Sequence, residues 1–457
     1  MSRSRGEKIV YVVHCVDTEG PLAEALSDTF ERLRTIFGVE IAATEENLRK
    51  LQQGEIDLGE RTEPIRRLLA PQLQGYNRNW EEVDAMLARV TSPCFRDRRP
   101  DSRGDGWVYN WFCLDHVGYR SNPRSRDLGH HKVFDHYGSL LQRQENHRDR
   151  IFYHYHPLPH NGMAHACATW YLNQNHLFEI LARKVIERQW FPTVFRPGFH
   201  VTRPDSNLFL EQWFPFEFAN QATEAVDDQP DLADGRFGDW RRAPRIWGAY
   251  HPSHDDYQTP GACRRWIFRC LNMEARLRRL TREDVEHAFA QAEQEGSAVL
   301  AFTNHDFRDM APEVEAVREM IAAAAGRRPE VRFRYVDALT AARSHLGITA
   351  VPPLGLRVSL NRPETGNALQ LQIRTGAKLF GPQPFLAIRD SDGGYFYDNL
   401  DFGLDGTSWH YTFDWQTFLP ERVDTIGVVA PGAQGQAEIA LIRPASGQVT
   451  TTRLNFN

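Results

Sequence analysis

Two carboxylates, Asp17 and Glu19, follow the apolar run Ile9–Val16 and precede Gly20. Where a strand ends and the chain bends, both can reach one cavity. Their different reach suits a division of labour, one carboxylate binding a metal ion and the other acting as base. The plainer reading is that Asp17 and Thr18 cap a following helix. Farther along, His156 and His160 are separated by three residues, with Pro157 and Pro159 stiffening the loop between them. Two imidazoles at that spacing can take adjacent positions on a metal. One carboxylate added to them makes a two-histidine, one-carboxylate set that leaves room for water and substrate. His154, which alternates with His156 along the preceding strand, is expected to point to another face. Arg196, before Pro197 and Gly198, is placed to orient a carboxylate base or bind substrate oxygens. His305 ends an apolar strand and suits a general acid for a leaving amine. Asp306 beside it is expected to set its tautomer or raise its pKa.

These residues need elements to position them. Strand candidates are Ile9–Val16, Trp107–Leu114, Arg150–Tyr155, Thr193–Phe195, Phe214–Phe218, Ser297–Phe302 and Val331–Val336. Helical patterns alternate with them, among them Leu22–Phe37, Thr44–Gln53, Trp80–Val90, Thr169–Gln189 and a helix from Thr281 to Gly296 with a capping-box-like start. Such alternation indicates a parallel sheet or barrel with helices outside, whose chemistry sits past the strand C-termini. Asp17–Gly20, Asp115-His116, His154–His160, Arg196–His200 and His305-Asp306 all fall there. After Gly347 and the Pro352-Pro353 linker no helical pattern follows. Seven short alternating runs from Leu356 to Ile442 read as an antiparallel β-sandwich. The expected division is a barrel over 1–346 and a β domain over 347–457. The histidines mark the same boundary: of 18, only His345 and His410 come after position 305.

The ordered constellation resembles the polysaccharide deacetylase family (the NodB-homology domain, carbohydrate esterase family 4 and relatives), as a divergent member over roughly residues 8–345. Val16-Asp17-Thr18-Glu19-Gly20 is similar to its first motif, His156–His160 to its metal pair, Phe195–Gly198 to its arginine motif, and Phe302–Asp306 to its last motif. The resemblance implies a distorted (β/α)7 barrel, Asp17 as base, and Glu19, His156 and His160 as metal ligands. It also implies that Arg196 orients the base and that His305 is the acid. The usual Asp-Asp-Gly is Asp-Thr-Glu-Gly here, and Pro157 stands where the family has Ser or Thr.

The implied function is removal of an N-acyl group, acetyl first, from an amino sugar or sugar-like substrate. The cofactor would be one divalent ion, zinc ahead of nickel, cobalt, manganese or iron. Two alternatives are a non-catalytic carbohydrate-binding protein on a relic barrel and an amidase for a small non-sugar amide. Iron-dependent oxidation on the same ligand set is a third. Trp240, Trp247, Tyr250, His251 and Asp256 set aromatics beside hydrogen-bonding groups, as a sugar pocket would, and His116 belongs to a second candidate wall. His130 and His131 are expected at the surface or facing substrate rather than on a second metal. Six arginines between Arg264 and Arg279 read as the solvated face of an amphipathic helix, with a phosphate of a nucleotide- or lipid-linked sugar as the other use. The net charge of −6 gives no support to nucleic-acid binding. No stretch of 18 apolar residues offers a membrane span. The six cysteines form no CxxC pair, and the N-terminus has no h-region, so a cytoplasmic protein with reduced thiols is expected, with homo-oligomers allowed.

Overall fold

The first apolar run becomes β1 (Ile9–Thr18), a ten-residue strand buried along nearly its whole length. The computed structural model describes residues 7–145, 147–164, 166–172, 175–224, 238–273, 278–364 and 366–454. The further strands of the first part are β2 (Tyr109–Cys113), β3 (Arg150–Tyr155), β4 (Val194–Pro197), β5 (Phe216–Asn220), β6 (Ala249–Tyr250), β7 (Trp266–Asn272), β8 (Ser297–His305) and β9 (Arg332–Tyr335). Seven of them close into an all-parallel barrel, in the order β1, β2, β3, β4, β5, β7, β8 and back to β1. β1 pairs with β8 from Ile9 opposite Ser297 to Asp17 opposite His305. Its other edge is shared, with β9 along Ile9–Val12 and β2 along His14–Thr18. A short β2 therefore leaves the lower half of that edge to β9.

Strand side chains alternate with period two, and a closed barrel turns one parity inward. The inward set is Val13, Cys15, Phe112, Phe152, Val194, Phe218, Phe268, Cys270, Val299 and Ala301, which form one apolar cluster. The short helix Ala338–His345 contributes Ala338, Leu339, Ala341 and Ala342 to it. The outward parity, including Val10, Val12, Val16, Trp111 and Leu300, packs against surrounding helices.

The arginine-rich stretch departs from expectation. Trp266–Asn272 is a barrel strand rather than a solvated helix, because Ile267, Phe268, Cys270 and Leu271 are all buried. Arg265 is buried with it and bonds Glu217 Oε2 at 2.8 Å and Asn207 Oδ1 at 2.6 Å, while Arg269 bonds Asp284 Oδ1 at 2.8 Å. Their charges are thus matched within the protein and not offered to a phosphate. Residues 274–277 of the stretch lie outside the described residues.

The tail forms two antiparallel sheets of four and five strands, beginning at Arg357. Leu371, Ile373 and Trp409 of one share a core with Leu386, Ile388, Ile426 and Val428 of the other. The five-stranded sheet also packs on the helix His176–Arg188. There Phe385, Ala387 and Val429 join Leu181, Val185 and Trp213 in one cluster. No helix among the described residues is long and apolar enough to cross a membrane.

Candidate functional site

Extending the inward parity past the strand ends names the site. Beyond Val13 and Cys15 come Asp17 and Glu19; beyond Phe152 come His154 and His156; beyond Val194 comes Arg196; beyond Ala301 comes His305. Register sets Asp17 beside His305 and His154 beside Arg196.

Arg196 grips Asp17 with both arms, Nε to Oδ1 at 2.6 Å and Nη2 to Oδ2 at 2.8 Å, and its Nη1 donates to Phe218 O at 2.7 Å. Burial alone would raise the Asp17 carboxyl. The Arg196 guanidinium outweighs it and holds the group far below the carboxylate range. Glu19 is balanced likewise: burial pushes it up, and Arg126, whose Nη2 lies 2.5 Å from Oε2, brings it well below its ordinary value.

Glu19 Oε1 faces three imidazoles, at 3.6 Å from His156 Nε2, 3.7 Å from His305 Nε2 and 3.9 Å from His154 Nε2. His154 Nε2 and His156 Nε2 are 3.0 Å apart. His154 Nδ1 meets the Arg196 carbonyl at 3.0 Å, and a carbonyl only accepts. Nδ1 therefore carries a proton, which makes Nε2 the ring's metal-binding position, the usual arrangement behind a metal-bound histidine. Among the described residues, Glu19, His154 and His156 are the group that could hold a metal. The point equidistant from the three ligand atoms, with sides of 3.0, 3.6 and 3.9 Å, lies about 2.1 Å from each, a zinc–nitrogen or zinc–oxygen bond length. Burial pushes His156 down to about 3 and His305 to about 4, so both are neutral at pH 7.

Two expectations about the histidines are corrected. His154 shares a face with His156, since residues two apart on a strand point the same way. His160 lies apart: after Pro157 the chain turns, Leu158 is buried, and the His160 ring is exposed, its centroid 6.2 Å from that of Trp170. Asp306 is of the opposite parity to His305 and does not orient it. It accepts from the backbone N–H of Glu19 and of Gly20, both at 2.9 Å, and from the Tyr137 hydroxyl at 2.8 Å, so it shapes the loop that carries Glu19. Burial raises its carboxyl to about 7.

Of the expected substrate contacts, His116 stands nearest. Its Nε2 donates to Glu19 O at 2.8 Å, so it braces the Glu19 backbone. Trp240 is fully buried and donates to His200 O at 3.0 Å. The others are packed elsewhere. Trp247 belongs to the outer core, its carbonyl accepting from Val299 at the start of β8, the barrel end opposite the site. The Tyr250 hydroxyl donates to Tyr257 O, the His251 ring lies 3.5 Å from that of Trp266, and Asp256 pairs with Arg242 at 2.7 Å. His131 is buried, its Nε2 2.7 Å from Glu187, and is not a surface group, while His130 lies 3.4 Å from Glu179.

Sequence reasoning missed three features. Arg126 comes from a loop held by Asn122, with no periodicity to announce it. At Gly198 a Cβ would lie 2.1 Å from His156 Cδ2, so only glycine admits the ring. Phe199 and His200 are both left-handed, with φ of 50° and 51°, a strained backbone that sets Phe199 against His156 at 5.3 Å between centroids. Comparison of the chain with protein-family models finds no match, and comparison with curated proteins finds none.

Proposed function

We propose that this protein is a metal-dependent amide hydrolase of the polysaccharide deacetylase type, in which Glu19, His154 and His156 hold one divalent ion. The observation that carries this reading is the common point about 2.1 Å from their three ligand atoms, with His154 Nε2 turned toward it by the Arg196 carbonyl. A bound ion supplies an acidified water and polarises the amide carbonyl.

The protein's own residues supply the rest. Asp17 is kept ionised and oriented by Arg196, and accepts the proton of the attacking water. His305 is neutral in the resting site. Its Nε2 lies 4.0 Å from Asp17 Oδ2, beyond a direct hydrogen bond, so the proton passes from Asp17 to His305 through a water between them and from His305 to the departing nitrogen. With 28% of its side chain exposed, His305 is the ring of this group that faces an incoming substrate. An amino-sugar substrate follows from the resemblance alone. A small non-sugar amide is the second reading, favoured by the packing of Trp247, Tyr250 and His251 away from the site.

The test is metal content, with release of acetate from N-acetylated sugars and from simple acetamides, in wild type and His156→Ala. One ion per chain and turnover lost in the variant are expected. A wild type that takes up no divalent ion, or full turnover in the variant, would refute the proposal.

A further inference from the structure

Glu19 has two carboxylate oxygens, and they face different partners. Oε1 looks to the Nε2 atoms of His154, His156 and His305 at 3.6 to 3.9 Å, while Oε2 takes Nη2 of Arg126 at 2.5 Å. Left to itself, a carboxylate beside a metal can chelate through both oxygens and fill two positions. The Arg126 guanidinium instead engages Oε2 with a charged hydrogen bond, which competes with a second metal bond.

Arg126 is fixed there by several contacts. Its backbone N–H donates to Asn122 Oδ1 at 2.9 Å, and Asn122 Nδ2 returns a bond to Arg126 O at 2.8 Å. The guanidinium lies over the Phe307 ring, 4.6 Å from its centroid. The residue is 7% exposed, and among the described residues its buried Nε and Nη1 have no hydrogen-bond partner. A sealed guanidinium of this kind cannot meet a ligand from outside. Among the described residues its one ion-pair partner is Glu19.

Charge balance gives the consequence. Asp17 is matched by Arg196 and Glu19 by Arg126. A divalent ion therefore enters a buried centre whose carboxylates are already compensated, so it is held less tightly and stays more electron-poor.

We propose that Arg126 is a positioning residue for the metal centre: it keeps Glu19 a one-oxygen ligand and gives up metal affinity for a stronger Lewis acid with an open coordination position. This rests on the metal reading above, and its test separates the two. Metal-free protein is titrated with Zn²⁺ against a chromogenic chelator, and with Co²⁺ while its visible spectrum is recorded. In Arg126→Met, Glu19 closes on the ion through both oxygens. Zinc then binds about tenfold tighter, and the strong four-coordinate cobalt bands fall to the weaker bands of five-coordination. In Arg126→Gln the shorter, neutral side chain also releases Oε2, and the same two changes are expected. Either variant suffices if the other does not fold. Zinc binding unchanged or weakened by about 10- to 100-fold, as when an outer partner merely orients its ligand, would overturn the inference while leaving the metal site standing. Failure of the wild type to bind zinc would sink the metal reading itself.

Discussion

The stretches Tyr153–His160 and Asp239–Asp256 are both rich in histidine, aromatic and proline residues, and the barrel uses them in opposite ways. In the first, β3 carries inward parity to its C-terminal end, so His154 and His156 emerge beside Glu19 with their ring nitrogens turned to one point. In the second, Trp247 packs in the outer core and Tyr250 bonds its own loop. Residue types are alike in the two regions. Strand parity and the end of the barrel reached decide which one becomes a site.

Substitutions that strike the first region should cost far more than those in the second. The largest effect is expected at Arg196, which is fully buried with Asp17. Arg196→Met leaves a buried carboxylate unpaired, and chemical denaturation should show a loss of about 3–5 kcal/mol.

Acid comes next. His14 lies in the barrel wall, its Nε2 donating to Asn304 Oδ1 and its Nδ1 accepting from Trp107. Burial lowers it from 6.5 to about 3, so between those values the unfolded chain takes up a proton that the folded chain refuses. Stability is complete above pH 6.5 and falls toward pH 3, by up to about 1.4 kcal/mol per unit. Melting curves between pH 7 and 4 should show His14→Leu starting lower than wild type but declining less steeply.

Gly198→Ala should be milder in stability, about 1–3 kcal/mol, yet it pushes on the His156 ring and should weaken zinc binding in a chelator titration. The smallest effect is expected in the second region. Asp256→Ala removes a solvent-facing pair with Arg242, should cost about 0–1 kcal/mol, and should leave zinc binding unchanged. Were Asp256→Ala to impair metal binding as Gly198→Ala does, the contrast between the regions would fail.

Much of the fold was legible because its signals are local. The strand of Ile9–Val16, the helix from Thr281 and the loss of helical pattern past Gly347 all appear in the structure near the positions read from the sequence. β7 was not legible, since Arg265 and Arg269 look solvated until Glu217 and Asp284, distant in sequence, are seen to pair with them. In the site, Asp17 and Glu19 are brought together with Arg196 and His305 as the strand ends suggested. The exchange of His160 for His154 was within reach, because period two alone places His154 and His156 on one face. Arg126 was not, since a loop clamped by Asn122 gives no pattern to read.

The central claim is that Glu19, His154 and His156 share one ion. Its most direct test is an anomalous difference map from crystals grown with zinc, recorded on both sides of the zinc edge. The account predicts a single strong peak about 2.1 Å from Glu19 Oε1 and the Nε2 atoms of both histidines. A peak at His160, or none between these three residues, would contradict it.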